Sequence, residues 1–181
     1  MGVFNKYWSI YGGASALFRS RYLHVSIILT ILLYPTWITH DWYNQVLSII
    51  PNLLGFSLGG FAIFLALGDE KFRKIISGDG NKKNDSPFLS VNATFVHFIL
   101  SQVIAIIMAL LGKAYDFEVE NTIINSFFYT LKIFFAFFSY LFFMYALMCV
   151  FAATLSLFRV STWYDAYVTS DKSKKDDKNE G

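Results

Sequence analysis

Charged residues in this chain are confined to blocks, and four long stretches between the blocks contain no Asp, Glu, Lys or Arg. These stretches cover residues 22–40, 42–68, 86–112 and 133–158 and are 19, 27, 27 and 26 residues long. A helix needs about 20 residues to cross about 30 Å of hydrocarbon, and it satisfies its own backbone hydrogen bonds there. We therefore predict an all-α integral membrane protein with a bundle of four transmembrane helices. The predicted spans cover about residues 22–40, 45–68, 88–112 and 132–158.

The segments before and after the predicted transmembrane domain, residues 22–158, differ in character. Residues 1–21 carry aromatic side chains at spacings of three, four or seven, which predicts an amphipathic helix in the membrane interface. A plain aromatic anchor leading into the first span is the alternative. Residues 159–181 are predicted to be a tail, disordered at its end, where Lys, Asp, Ser and Asn alternate. The fourth apolar segment either tilts or begins with an interfacial turn at residues 122–131.

Basic residues are distributed unevenly between the two sides of the predicted topology. With both termini inside, 13 of the 15 Lys and Arg residues lie on the cytoplasmic side. The outer segments then hold Lys113, while Lys132 falls near or within the fourth span. Because short cytoplasmic loops are enriched in Lys and Arg, this asymmetry predicts that both termini are cytoplasmic.

The second predicted span carries small and polar residues on one helix face, at steps of three and four. These residues are Ser48, Asn52, Gly55, Gly59, Ala62 and Ala66. Helices in lipid associate where small residues let their backbones approach, so the face predicts a helix–helix contact. The alternative is a pore-facing surface that lines a water-filled path around an oligomer axis.

Two ionisable residues inside apolar segments are candidate buried polar groups. His97 lies in the third span, where ionisable residues are candidates for function, although a hydrogen-bonded packing histidine is the simpler alternative. Lys132 either extends its ammonium group to the outer interface or faces an internal polar path. The three histidines lack the spacing of metal-binding motifs, so we predict neither a metal nor another cofactor.

One short string matches a motif of serine hydrolases. Residues 55–59 read Gly-Phe-Ser-Leu-Gly, but that motif acts on a strained strand-to-helix turn with His and Asp partners. Here the string lies inside a predicted membrane helix. We therefore predict no catalytic residues and no enzymatic activity, with an intramembrane hydrolase as a distant alternative.

The predicted cytoplasmic loop between the second and third spans is basic and is the candidate surface for a soluble protein partner. Its basic residues are Lys71, Arg73, Lys74, Lys82 and Lys83. The alternative is that these residues set the topology and contact anionic lipid headgroups. The formal net charge of +2 is too small to predict direct nucleic-acid binding.

Several features of the chain form a recognisable combination: its size, the predicted inside termini, the short loops and two sequence runs. The runs are Pro-Asn-Leu-Leu-Gly-Phe-Ser-Leu-Gly-Gly at 51–60 and Gly-Asp-Glu-Lys-Phe at 68–72. Together they resemble the small four-span membrane subunit of bacterial Kiwa-type anti-phage defence systems, as architecture over most of the chain. The resemblance implies a homo-oligomer in the bacterial inner membrane, with a tetramer as one option. It also implies that the protein senses phage attack and works with a separate cytosolic DNA-binding partner.

We therefore expect a non-enzymatic membrane sensor or scaffold that assembles with itself in the lipid bilayer and recruits a cytosolic protein. A small homo-oligomeric ion channel or pore is the alternative.

Overall fold

The computed structural model describes residues 2–39, 41–66, 70–77, 86–116 and 122–179, with only the backbone for 122–127 and 173–179. Within these ranges the regular elements are all helices, as the sequence predicts. The helices are α1 (Val3–Tyr11), α2 (Gly13–Arg19), α3 (Arg21–Leu32), α4 (Tyr34–Trp37), α5 (Trp42–Ala66), α6 (Glu70–Ser77), α7 (Pro87–Ala114) and α8 (Thr122–Asn179).

Three helices are long and apolar enough to cross a membrane: α5, α7, and α8 over Phe128–Lys172. They pack against one another, and α3 packs along α8. Large apolar side chains remain exposed on their outer surfaces, among them Phe56 at 63% and Phe134 at 61%. Such exposure suits contact with lipid, so the chain has the character of a multi-pass membrane protein.

The first predicted span, residues 22–40, is not one helix. α3 ends at Leu32 and the short helix α4 begins at Tyr34, with Pro35 in its first turn. Proline lacks an amide hydrogen, and its ring clashes with the carbonyl group four residues earlier, so Pro35 favours a break at this point. α5, by contrast, continues through Pro51. At 12 residues, α3 alone is shorter than the length that a membrane crossing requires.

α8 is a single helix of 58 residues, about 87 Å long at 1.5 Å per residue. It begins at Thr122, so the segment 122–131 continues the helix instead of forming a separate turn. It also extends through Asn179, although the sequence analysis expects disorder at the end of the tail. No Gly or Pro occurs between residues 113 and 180, so the sequence holds no residue that breaks a helix there.

The segment 1–21, predicted as one amphipathic interfacial segment, forms two helices that meet at Gly12 and Gly13. Both glycines have positive φ, 100° and 64°, a region that residues with a side chain rarely occupy. A Cβ atom on Gly12 would lie 2.9 Å from the Cβ of Ala16. The corner therefore depends on glycine, and it turns the chain so that α1 packs against α7.

The interior has two apolar clusters, one toward each end of the long helices. One contains Trp42 and Ile50 of α5 with Ala109 of α7, and the other contains Phe64 and Phe95. In the first, a Cβ added to Gly112 would lie 2.7 Å from the Trp42 ring, so that glycine allows α5 and α7 to approach. Polar side chains, described below, lie between the two clusters.

Candidate functional site

The small-residue face of α5 points away from the rest of the chain. All six predicted residues, Ser48, Asn52, Gly55, Gly59, Ala62 and Ala66, are exposed. A Cβ added to Gly55 or Gly59 would meet no atom within 4 Å. Ser57 follows Ser48 by nine residues, about 180° around the helix, and it lies on the buried face. Among the described residues the small face therefore packs against no other helix of the chain, and it is open to another molecule.

Asn52 belongs to this exposed face and lies near the middle of α5. It is the eleventh of the 25 residues of α5, and its Nδ2 donates to the carbonyl oxygen of Ser48 at 3.0 Å. Ser48 in turn donates to the carbonyl oxygen of Gln45 at 2.9 Å. A carboxamide near the bilayer centre stabilises helix association when a second helix supplies a hydrogen-bond partner.

The basic residues of the predicted partner surface lie partly on α6. Lys71, Arg73 and Lys74 are exposed, while Lys82 and Lys83 lie outside the described residues. Arg73 donates to the carbonyl oxygen of Leu65 at 2.9 Å, which joins α6 to the end of α5. Lys74 forms an exposed ion pair with Glu70 at 2.9 Å, and such pairs contribute little to stability.

The apolar side of α6 packs against α8. Phe72 and Ile76 are buried, and the ring of Phe72 lies 5.2 Å from that of Tyr164 and 5.5 Å from that of Tyr167. A cavity of about 460 Å³ lies beside them, with Trp163 among its lining residues. We call α6 together with residues 159–172 of α8 the platform. Packing against α8 gives the platform a defined shape and leaves the α6 cations exposed.

His97 is buried and binds two tyrosines from different parts of the chain. Its Nδ1 lies 2.8 Å from the Tyr7 hydroxyl, and its Nε2 lies 2.7 Å from the Tyr145 hydroxyl. The Tyr11 ring stacks on the imidazole, with centroids 3.9 Å apart. A neutral imidazole has one donor and one acceptor nitrogen, so one phenol donates to the ring and the other accepts from it. The interpretation of His97 as a hydrogen-bonded packing residue therefore fits the geometry.

The cluster around His97 lies about one third of the way along α7. His97 follows Pro87 by ten residues, about 15 Å along an α7 of 28 residues, or about 42 Å. Partial burial raises the pKa of Tyr7 to about 12 and also raises the pKa of Tyr11, so both phenols stay neutral near pH 7. The aromatic spacing of residues 1–21 predicts an interfacial position for these tyrosines, and no sequence pattern marks Tyr145. The spacing of Tyr7 and Tyr11, one helical turn, shows that they share a face but not what they contact.

A second buried polar pair links α5 to α7 at a similar level. The Gln102 side chain is fully buried and its Nε2 donates to the Ser57 hydroxyl at 2.8 Å. Its Oε1 has no hydrogen-bond partner among the described residues. Ser57 is the serine of the hydrolase-like string, and it sits in a helix as the acceptor of an amide, not on a turn beside a base. The sequence analysis did not single out Gln102.

Lys132 lies at one end of the long helices, close to the residues that connect them. Its ammonium group is 3.7 Å from Asp116, and its side chain is 33% exposed. The Tyr43 hydroxyl lies 3.0 Å from Asp116 and 2.9 Å from Asp41, so two carboxylates share its proton. This position fits the alternative in which Lys132 reaches the outer interface.

The predicted residues thus lie in four separate regions: the small face of α5, the platform, the buried cluster around His97, and the polar end with Lys132. Within the described part of the chain, no group of three or more His, Cys, Asp or Glu side chains is arranged to hold a metal ion. Comparison of the chain with protein-family models, with curated proteins and with solved structures finds no match.

Proposed function

We propose that this protein is a non-enzymatic scaffold or sensor of the bacterial inner membrane that assembles with itself and recruits a cytosolic protein. The proposal follows the resemblance to the Kiwa-type membrane subunit, in which case the setting is anti-phage defence. Four crossings with both termini in the cytoplasm complete it.

In this proposal α3 and α4 together form the first crossing along the chain, in addition to the crossings by α5, α7 and α8. Together they run from Arg21 to Trp37, and 16 of these residues are helical, 12 in α3 and 4 in α4. At 1.5 Å per residue the segment reaches about 25 Å. A short span of this kind is accommodated by local thinning of the bilayer. With this crossing, the platform and the N-terminus lie on the side that carries most basic residues, as the positive-inside rule requires.

The platform is the observation that carries the recruitment proposal. α8 continues past the apolar segment, and the ring of Phe72 in α6 contacts this continuation at Tyr164 and Tyr167, while α6 also packs against α7. Basic residues alone are enough to set the topology of a loop. A loop with only that role would not need an apolar side that packs against another helix. The platform instead holds its cations, Lys71 and Lys74, on an ordered surface where a soluble acidic partner can contact them.

The small face of α5 supports self-association. It is exposed along its length, its glycines allow close backbone approach, and Asn52 is available for a hydrogen bond across the contact. A second copy of the chain supplies a matching face, because a symmetric contact pairs the same surface on both subunits.

Recruitment is tested by reversing charge on the platform. The double variant Lys71→Glu and Lys74→Glu should reduce the soluble protein that co-purifies with the cross-linked full-length chain from its native host by at least fivefold. Lys113→Glu, on the opposite side in this topology, is the matched control and should not reduce it. Equal co-purification by wild type and double variant would contradict recruitment through the platform.

A pore is the second candidate function, favoured by the polar groups of Ser48 and Asn52 on the exposed face of α5. Several copies with these faces turned toward a common axis would line a path with hydroxyl and amide groups. Purified protein in planar bilayers distinguishes the two functions. Steady conductance without a soluble partner, reduced by Asn52→Leu, would replace the scaffold with a channel.

A further inference from the structure

We propose that α1 is a detachable latch: the Tyr7–His97 hydrogen bond and the stacking of Tyr11 on His97 hold it to the membrane domain, and its release uncovers His97. The latch does not depend on partner recruitment or on the oligomer, because each of its contacts lies within one chain.

α1 contributes nothing to the apolar interior among the described residues. None of its residues is buried, and Val3 and Phe4 are 89% and 65% exposed. Neither apolar cluster includes a residue of α1, whereas α2 contributes Leu17 to one of them. Removing α1 would therefore take no residue out of either cluster, although it would uncover the hydroxyl of Tyr145, which belongs to one of them. Local opening occurs where few apolar contacts hold an element.

The hydrogen bond and the ring stacking that hold α1 fall on one imidazole, while Trp8 and Ile10 are half-buried and α1 packs along α7. Tyr7 and Tyr11 are one helical turn apart, so both approach His97 from the same face of α1. The Tyr7 hydroxyl forms a hydrogen bond with Nδ1 at 2.8 Å, and the Tyr11 ring stacks on the imidazole. The Tyr11 hydroxyl lies 3.5 Å from that of Tyr145. The other nitrogen of His97 is held by Tyr145 of α8 at 2.7 Å. His97 thus keeps one bond inside the membrane domain when α1 leaves.

The corner after α1 provides a hinge. Gly12 and Gly13 both have positive φ, and Ser20 is extended between α2 and α3. Glycines reach these and other backbone conformations without steric penalty, so α1 can swing while α2 stays packed. In the released state the Nδ1 of His97 loses its phenol partner, and a polar group becomes available about one third of the way along α7.

Hydrogen–deuterium exchange of the full chain in lipid nanodiscs tests the latch. In wild type, amides of residues 6–11 should exchange at least tenfold faster than those at the centre of α7, because α1 opens independently. Tyr7→Phe keeps the ring and removes the hydrogen bond, so it should speed α1 exchange about three- to tenfold further and leave α7 unchanged. Tyr11→Ala, which removes the stacking, should act in the same direction.

Tyr34→Phe is the matched control, since Tyr34 is exposed and remote from α1 in the chain, and it should change neither helix. Three outcomes would overturn the latch. They are wild-type α1 exchanging as slowly as α7, Tyr7→Phe leaving α1 exchange unchanged, and Tyr7→Phe accelerating α1 and α7 equally. The last result would assign Tyr7 to global stability.

Discussion

Two helix faces of similar composition have opposite positions in this molecule. The small face of α8 includes Ala136, Ala146 and Ala153, which are at most 6% exposed and pack in the interior. The small face of α5, around Gly55 and Gly59, is open along its length. In the most apolar 18 residues of each long helix, the buried share is smallest for α5, at 17%, and reaches 44% for α8.

The difference shows what a stripe of small residues does and does not specify. Small side chains permit close approach of another backbone on either helix. Which backbone approaches depends on the opposite face: α5 turns Val46, Ile50 and Phe64 inward, so its small face must point outward. On α8 the small face is itself the packed one. The α8 face therefore serves the fold, and the α5 face is available for assembly.

The largest effect should come from bulk on the inward face. Ala146 is fully buried, and Ala146→Leu adds three carbon atoms to a filled interior, so it should destabilise the fold by about 1–3 kcal/mol. Thermal unfolding in detergent, followed by circular dichroism, measures the loss. Gly59→Leu is the control and should leave the unfolding temperature of the monomer unchanged. Equal destabilisation by both variants would mean that the two faces do not differ.

The same Gly59→Leu change should act on assembly. A leucine on the outward face separates two backbones that approach there, and it should weaken self-association by about 1–2 kcal/mol per helix pair. Native mass spectrometry should show fewer copies per particle. Leu58→Phe, which adds bulk at an exposed position beside the face, should leave the copy number unchanged. An unaltered oligomer with Gly59→Leu would place the contact between copies elsewhere.

Uncharged runs that end at charges or turn residues predict the bounds of long helices. The predicted spans 45–68 and 88–112 compare with Trp42–Ala66 and Pro87–Ala114. Local pattern predicted less about the break before Pro35, because the hydrophobic run continues through it. It also missed the extension of α8, since an alternating charged segment suits disorder and an exposed helix equally.

The candidate sites divide in the same way. Spacing put the six small residues of α5 on one face, but spacing alone does not show whether that face meets another helix of the same chain. The partners of His97 could not be predicted, since Tyr7 and Tyr145 are 90 and 48 residues away in sequence. Pairing across such distances is set by the packing of whole helices.

Removing the amide from the outward face should have a smaller effect than adding bulk there. Asn52→Leu eliminates one hydrogen-bonding group per subunit, and such bonds between membrane helices contribute about 0.6 kcal/mol on average and about 1.7 at most. Energy transfer between labelled copies in liposomes measures the weaker association. Asn52→Gln keeps the carboxamide and should retain most of it. Unchanged association with Asn52→Leu would leave the contact to the small residues alone.

The smallest effect should come from Lys132, which precedes the inward α8 face by one turn at Ala136. If the inward face extended this far, Lys132 would be a buried charge, and losing its partner would cost several kcal/mol. Its side chain is instead 33% exposed and 3.7 Å from Asp116, so Lys132→Ala should cost at most about 1 kcal/mol. Unfolding measured at low and high salt checks this, because screening weakens an exposed pair and should bring the variant and wild type together. A loss above about 3 kcal/mol that salt does not reduce would move the boundary between the inward face and the membrane surface beyond Lys132, and would support an internal polar path there.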